Sequence, residues 1–85
     1  VAKVLMYATE WCPYCRRAAA LLRSKDAEVE TIDVDRAPER RREMIARSGR
    51  RTVPQIWIGD THVGGCDDLY ELERQGRLGP MLAAG

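Results

Sequence analysis

Cys12 and Cys15 are two of the chain's three cysteines, and they stand two residues apart in the stretch Glu10-Trp11-Cys12-Pro13-Tyr14-Cys15-Arg16-Arg17. Thiols at this spacing serve three kinds of chemistry: a structural disulfide, half of a metal site, or a nucleophile with its resolving partner. A Cys12–Cys15 bridge closes a very short loop and constrains little of the unfolded chain. A metal site has enough donors, because Cys12-x2-Cys15 and His62-x3-Cys66 together hold the ligands of a Cys3His zinc tetrahedron. Two helices and two strands are expected between the pairs, however, rather than one short loop. A reactive pair depends on position, since the thiolate is the attacking form and needs a setting that favours it.

The elements that must supply this setting follow from the hydrophobic pattern. Val4-Leu5-Met6-Tyr7-Ala8, between Lys3 and Thr9-Glu10, is a continuous apolar run and reads as a strand covered on both faces. From Pro13 the period changes. Cys15, Ala18, Ala19 and Leu22 share one face of a helix expected to run to about Lys25, and Pro13 suits its first turn. Glu28–Val34 is a second, β-branched strand. Pro38 to Ser48 is a second helix, stopped by Gly49. Ile56 and Ile58 alternate with Gln55 and Trp57, and Gly59-Asp60 turns the chain into Thr61–Val63, a hairpin pattern. Asp67 or Asp68 is expected to cap a third helix carrying Leu69 and Leu72, with Asp68 and Glu71 at capping-box spacing. Leu78, Met81 and Leu82 predict a short closing helix after Pro80.

The order βαβαββα combines a βαβ half with a ββα half, which implies a small central sheet with helices on both faces. Cys12 then falls where the first strand gives way to the first helix. Its sulfur is expected near unpaired backbone N–H groups and the positive end of the helix dipole, with Arg16 and Arg17 adding positive potential or facing solvent. Cys15, one turn deeper, is less exposed but within reach. Cys12 is therefore the expected nucleophile and Cys15 the thiol that resolves the mixed disulfide.

Composition bounds the reading further. The chain has 85 residues, expected to form one domain over 1–85, and a domain this short buries only ~60–65% of its unfolded surface. The formal net charge of +1 gives no argument for a nucleic-acid partner. Seven arginines fall between Arg36 and Arg51, where they read either as a solvated face interleaved with Glu39 and Glu43 or as an attractor of a small anion. No run reaches the ~18–20 apolar residues of a membrane span, and the short apolar run before Glu10 is not a signal peptide. Three cysteines cannot all pair within one chain, so a reducing, cytoplasmic setting is expected.

Three stretches together, Cys12-Pro13-Tyr14-Cys15, Thr52–Gly59 and Gly64–Leu69, resemble the bacterial dithiol glutaredoxins over nearly the whole chain. The resemblance implies a thioredoxin fold with a four-stranded mixed sheet and glutathione as a co-substrate rather than a permanently bound cofactor. It implies a monomeric thiol–disulfide oxidoreductase acting on glutathionylated or disulfide-containing proteins. It also implies a cis Val53-Pro54 peptide that presents the Val53 backbone to the cysteinyl part of glutathione, with Thr52 as a polar wall and Tyr14 lining the groove. Gly65, Cys66 and Asp67 would meet the γ-glutamyl end, the helix N–H groups taking its carboxylate and Asp67 its ammonium. The glycine carboxylate falls to Arg41, which shares the inward edge of its helix with Met44, Ile45 and Ser48. Thr9 departs from the family pattern, because a lysine often stands there. Cys66 reads as a small helix-start residue or as a site of glutathionylation. A metal-binding protein remains the alternative, holding zinc or an iron–sulfur cluster carried by Cys12 and glutathione between two subunits.

Overall fold

The computed structural model describes residues 2–84. Its elements are β1 (Val4–Ala8), α1 (Pro13–Ser24), β2 (Val29–Asp33), α2 (Pro38–Ser48), β3 (Gln55–Ile58), β4 (Thr61–Gly64), α3 (Cys66–Arg74) and α4 (Leu78–Ala83). The sheet order is β2-β1-β3-β4. β1 runs parallel to β2 and antiparallel to β3, with Val4 opposite both Val29 and Ile58. A parallel pair needs a long crossover, and α1 supplies it.

Alternation along β3 separates two cores. Ile56 and Ile58 join Val4, Met6 and Ala8 beneath Cys15, Ala18 and Leu22 of α1 and Leu69, Leu78 and Leu82 of α3 and α4. Trp57 turns to the opposite face and packs with Tyr7, Val34 and Met44 under α2. With both faces covered, every residue of β3 is buried. β2, on the sheet edge, has only half-buried and exposed positions.

The helix ends show where residue type alone misleads. α2 matches its expected span and stops at Gly49, whose φ of 73° is left-handed. α3 starts earlier than expected. Neither Asp67 nor Asp68 is its cap, since Gly65 holds that position. Asp68 lies three residues on, and its carboxylate accepts the Gly65 N–H at 2.8 Å, so it is the returning half of a capping box and not the start of one with Glu71. α4 begins at Leu78, before Pro80 rather than after it. Pro80 falls in the first helical turn, where a missing N–H removes no intrahelical bond.

Candidate active site

Cys12 is the N-cap of α1, with extended backbone (φ −88°, ψ 115°), and the Cys15 N–H donates to its sulfur at 3.3 Å. The cysteine side chain thus takes the capping role that serine or aspartate often fills. Cys12 is half-buried and Cys15 fully so. Burial pushes the Cys15 thiol up to about 12, and the Cys12 sulfur beside it acts in the same direction, against a backbone hydrogen bond from Thr9. One sulfur is therefore available and the other is held as a buried thiol. Cys66 is also buried, and burial raises its thiol above the ordinary value of 9.0.

Beside this pair lies an open groove of about 280 Å³. Tyr14 forms one side, the Thr52-Val53-Pro54 loop the second, and Gly65, Cys66 and Asp67 at the start of α3 the third. These seven expected site residues are thus brought together from three separate parts of the chain. The Val53-Pro54 peptide is cis, and the Val53 carbonyl oxygen is 3.8 Å from the Cys12 sulfur. The groove and the Cys12 sulfur are therefore in direct contact through Val53. A β-carbon at Gly65 would make ordinary contact with the Pro54 carbonyl, at 3.5 Å, so the groove wall does not depend on a glycine there.

Arg41 is not among the groove-lining residues. Its guanidinium pairs with Asp35 at 2.8 Å. Arg50 is the cation that does line the groove, held 2.9 Å from the Asp68 carboxylate. That carboxylate is pulled below its ordinary 3.8, first by the Gly65 N–H and then by Arg50. Gly64 makes room for the arrangement: its φ is 111°, and a β-carbon there would collide with the Asp68 carboxylate. Arg50 escaped the sequence reading because it belongs to a loop with no period; its spacing from Asp68 carries no signal.

Arg16 and Arg17 each lie over an aromatic ring, and Arg17 is close enough to Cys66 to oppose the upward shift of its thiol. The Arg16 guanidinium lies 5.9 Å from the Trp11 ring centroid, and that of Arg17 lies 5.1 Å from the Tyr70 ring. Trp11 itself is 78% exposed, next to Cys12 in sequence. His62 is directed elsewhere, its Nε2 lying 2.8 Å from the Gln55 side-chain oxygen. Among the described residues no three His, Cys, Asp or Glu side chains converge as a metal site, so the Cys3His tetrahedron is not assembled.

A four-stranded mixed sheet flanked by helices, with an N-cap thiol at the first strand-to-helix junction, defines a thioredoxin-fold redox protein. Comparison with known proteins narrows the class: the Glutaredoxin family model matches residues 4–63, and the chain belongs to that family of thiol–disulfide oxidoreductases. It is 54% identical to a glutaredoxin of Pseudomonas aeruginosa over 81 residues, covering 95% of this chain and 96% of the relative. To glutaredoxin 3 of Escherichia coli K12 it is 52% identical, over 96% of this chain and 99% of the relative. The crystal structure of a buckwheat glutaredoxin–glutathione complex superposes with a TM-score of 0.89 at 33% identity, covering 95% of this chain and 76% of that one.

Proposed function

We propose that this protein is a cytoplasmic, monomeric, single-domain enzyme that reduces protein–glutathione mixed disulfides and protein disulfides at the expense of glutathione. The observation that carries the reading is the half-buried Cys12 sulfur, capped by the Cys15 N–H at 3.3 Å and bordered by the groove through Val53. The buckwheat relative, solved as a glutathione complex, supports the same ligand here.

In the first half-reaction the Cys12 thiolate attacks the glutathione sulfur of a mixed disulfide. The substrate protein leaves as a thiolate and takes a proton from water, and Cys12 is left bonded to glutathione. The thiolate of a second glutathione attacks the bound glutathione sulfur, releasing glutathione disulfide and restoring the Cys12 thiolate. With a protein disulfide, Cys12 joins the substrate instead. Cys15 then loses its proton and attacks the Cys12 sulfur, expelling the substrate thiol and leaving a Cys12–Cys15 disulfide that two glutathiones reduce. Because burial holds Cys15 as a thiol up to about 12, it does not compete with Cys12 for the first attack. Linking Cys12 to substrate takes away the neighbouring sulfur's smaller share in holding the Cys15 proton, while burial, the larger share, remains.

The bound glutathione would lie along the groove, its cysteinyl backbone against Val53 and its γ-glutamyl carboxylate at the N–H groups of Cys66 and Asp67, the Gly65 N–H being held by Asp68. The Asp67 carboxylate, exposed and facing the groove, takes the ammonium. Tyr14 and Thr52 complete the walls, and Arg41 takes the glycine carboxylate, leaving or sharing Asp35. A coupled assay with glutathione and glutathione reductase tests the whole. Cys12→Ser should abolish turnover of a glutathionylated peptide, while Cys15→Ser should keep it and lose only the reduction of protein disulfides. Turnover by Cys12→Ser would refute the assignment.

A further inference from the structure

Gln55 is the one polar side chain among the described residues that is fully buried. Its amide is satisfied at both ends. Nε2 donates to the Thr52 backbone oxygen at 3.0 Å and to the Thr52 hydroxyl oxygen at 3.2 Å. Its Oε1 faces His62 Nε2 at 2.8 Å. The direction of these bonds follows from donor and acceptor chemistry. A backbone carbonyl only accepts, so the NH2 of Gln55 must point at Thr52. Oε1 therefore faces His62 and can only accept, which requires the hydrogen of His62 to be on Nε2. The imidazole is kept in place by the Trp57 ring, with centroids 4.5 Å apart, and Arg47 closes the other side of that ring at 4.4 Å.

The consequence appears at the other end of the chain of bonds. The Thr52 hydroxyl oxygen accepts from Gln55, so its own hydrogen remains to be donated. No described residue accepts that hydrogen, and Thr52 is exposed on the groove beside Val53. We propose that Gln55 is a positioning residue: its buried amide, oriented by His62, holds the Thr52 hydroxyl as a hydrogen-bond donor toward a carboxylate or carbonyl oxygen of the bound ligand. A leucine or methionine at position 55 would fill the space but leave the hydroxyl free to turn and donate to its surroundings. Gln55 thus sets the polarity of one wall of the site without touching the substrate. That the ligand is glutathione rests on the function proposed above; the relay itself does not.

Kinetics with a glutathionylated peptide test it. Gln55→Met should raise KM roughly five- to tenfold, about the worth of one hydrogen bond, with kcat changed less than twofold. Thr52→Val should do the same, and adding Gln55→Met to Thr52→Val should raise KM no further. An unchanged KM in Gln55→Met overturns the proposal. So does a rise of the same factor in the Thr52→Val background, because a purely structural tie between β3 and β4 would act regardless of the hydroxyl. The unmodified protein provides a second readout that no misfolded variant can obscure: ¹⁵N-resolved NMR of His62 should show the Nε2–H tautomer at neutral pH, and the Nδ1–H tautomer would overturn the relay. Absence of any glutathione-dependent turnover in the wild type would defeat the proposed function and leave the tautomer to decide the relay.

Discussion

At the scale of single residues, the placing of Cys12 at the start of α1 and of Cys15 one turn deeper was legible from two facts, their spacing and the change of period at Pro13. The backbone geometry that makes Cys12 a cap and buries Cys15 follows directly from a strand running into a helix at that point. The cations were not legible in the same way. Arg41 was chosen by helical period, which reports the face of a helix but not what lies opposite; in the fold its nearest anion is Asp35. Arg50 and Gln55 act through partners far away in sequence, Asp68 at 18 residues and His62 at 7, and no local pattern encodes such pairs. The proposed role of Arg41 has a direct check. Arg41→Ala should raise the apparent KM for a glutathionylated peptide roughly three- to tenfold, as expected for losing one partly screened charge contact, with kcat nearly unchanged. An unchanged KM returns Arg41 to the Asp35 ion pair alone.

At the scale of elements, strands and helices with a strong apolar period were readable, and the ends without one were not. α2 could be placed from Pro38 and Gly49 because both residues restrict the backbone. The start of α3 could not, because Gly-Gly-Cys-Asp-Asp offers several plausible caps and the choice depends on Arg50 reaching Asp68 from another loop. Asp68 therefore joins two functions: it closes the α3 N-terminus through Gly65 and holds the groove's cation. Asp68→Ala should lower stability by about 1–2 kcal/mol, the usual cost of a lost cap with its charged partner, measured by urea unfolding at neutral pH. It should also weaken glutathione binding, since the wall formed by Arg50 loses its anchor. A stability within 0.5 kcal/mol of wild type, on the order of ordinary surface substitutions, would contradict this account of the helix start.

At the scale of the whole molecule, helices on both faces of the sheet were anticipated by the order βαβαββα, and the alternation along β3 separated Ile56 and Ile58 from Gln55 and Trp57. The pH range of stability was not anticipated, because it depends on what each titrating group meets after folding. On the alkaline side the buried Cys15 keeps its proton to about 12, whereas an unfolded cysteine ionises from 9.0. Above 9.0 the unfolded chain binds fewer protons, so stability falls as pH rises toward 12. Raised values at Cys66 and Tyr7, both due first to burial, act in the same direction. On the acid side burial lowers His62 below 6.5, so the unfolded chain takes that proton first and stability declines as pH drops below 6.5. Asp68 adds its loss below 3.8. Urea midpoints measured across pH should therefore show a plateau between about 6.5 and 9 with losses on both sides, and Cys15→Ser should reduce the alkaline loss. An alkaline limb identical in Cys15→Ser would remove Cys15 as its source.

The two tryptophans divide the molecule optically. Trp57 is 5% exposed, enclosed between Arg47 and His62, while Trp11 is 78% exposed and adjoins Cys12 in sequence. An indole in water emits to the red of one held in a dry interior, and a neighbouring disulfide quenches an indole by electron transfer. The long-wavelength part of the emission thus comes from the residue next to Cys12, and the short-wavelength part from Trp57, packed under α2. Under the proposed function, the chain thus carries its own redox indicator and, beside it in the same spectrum, an internal reference.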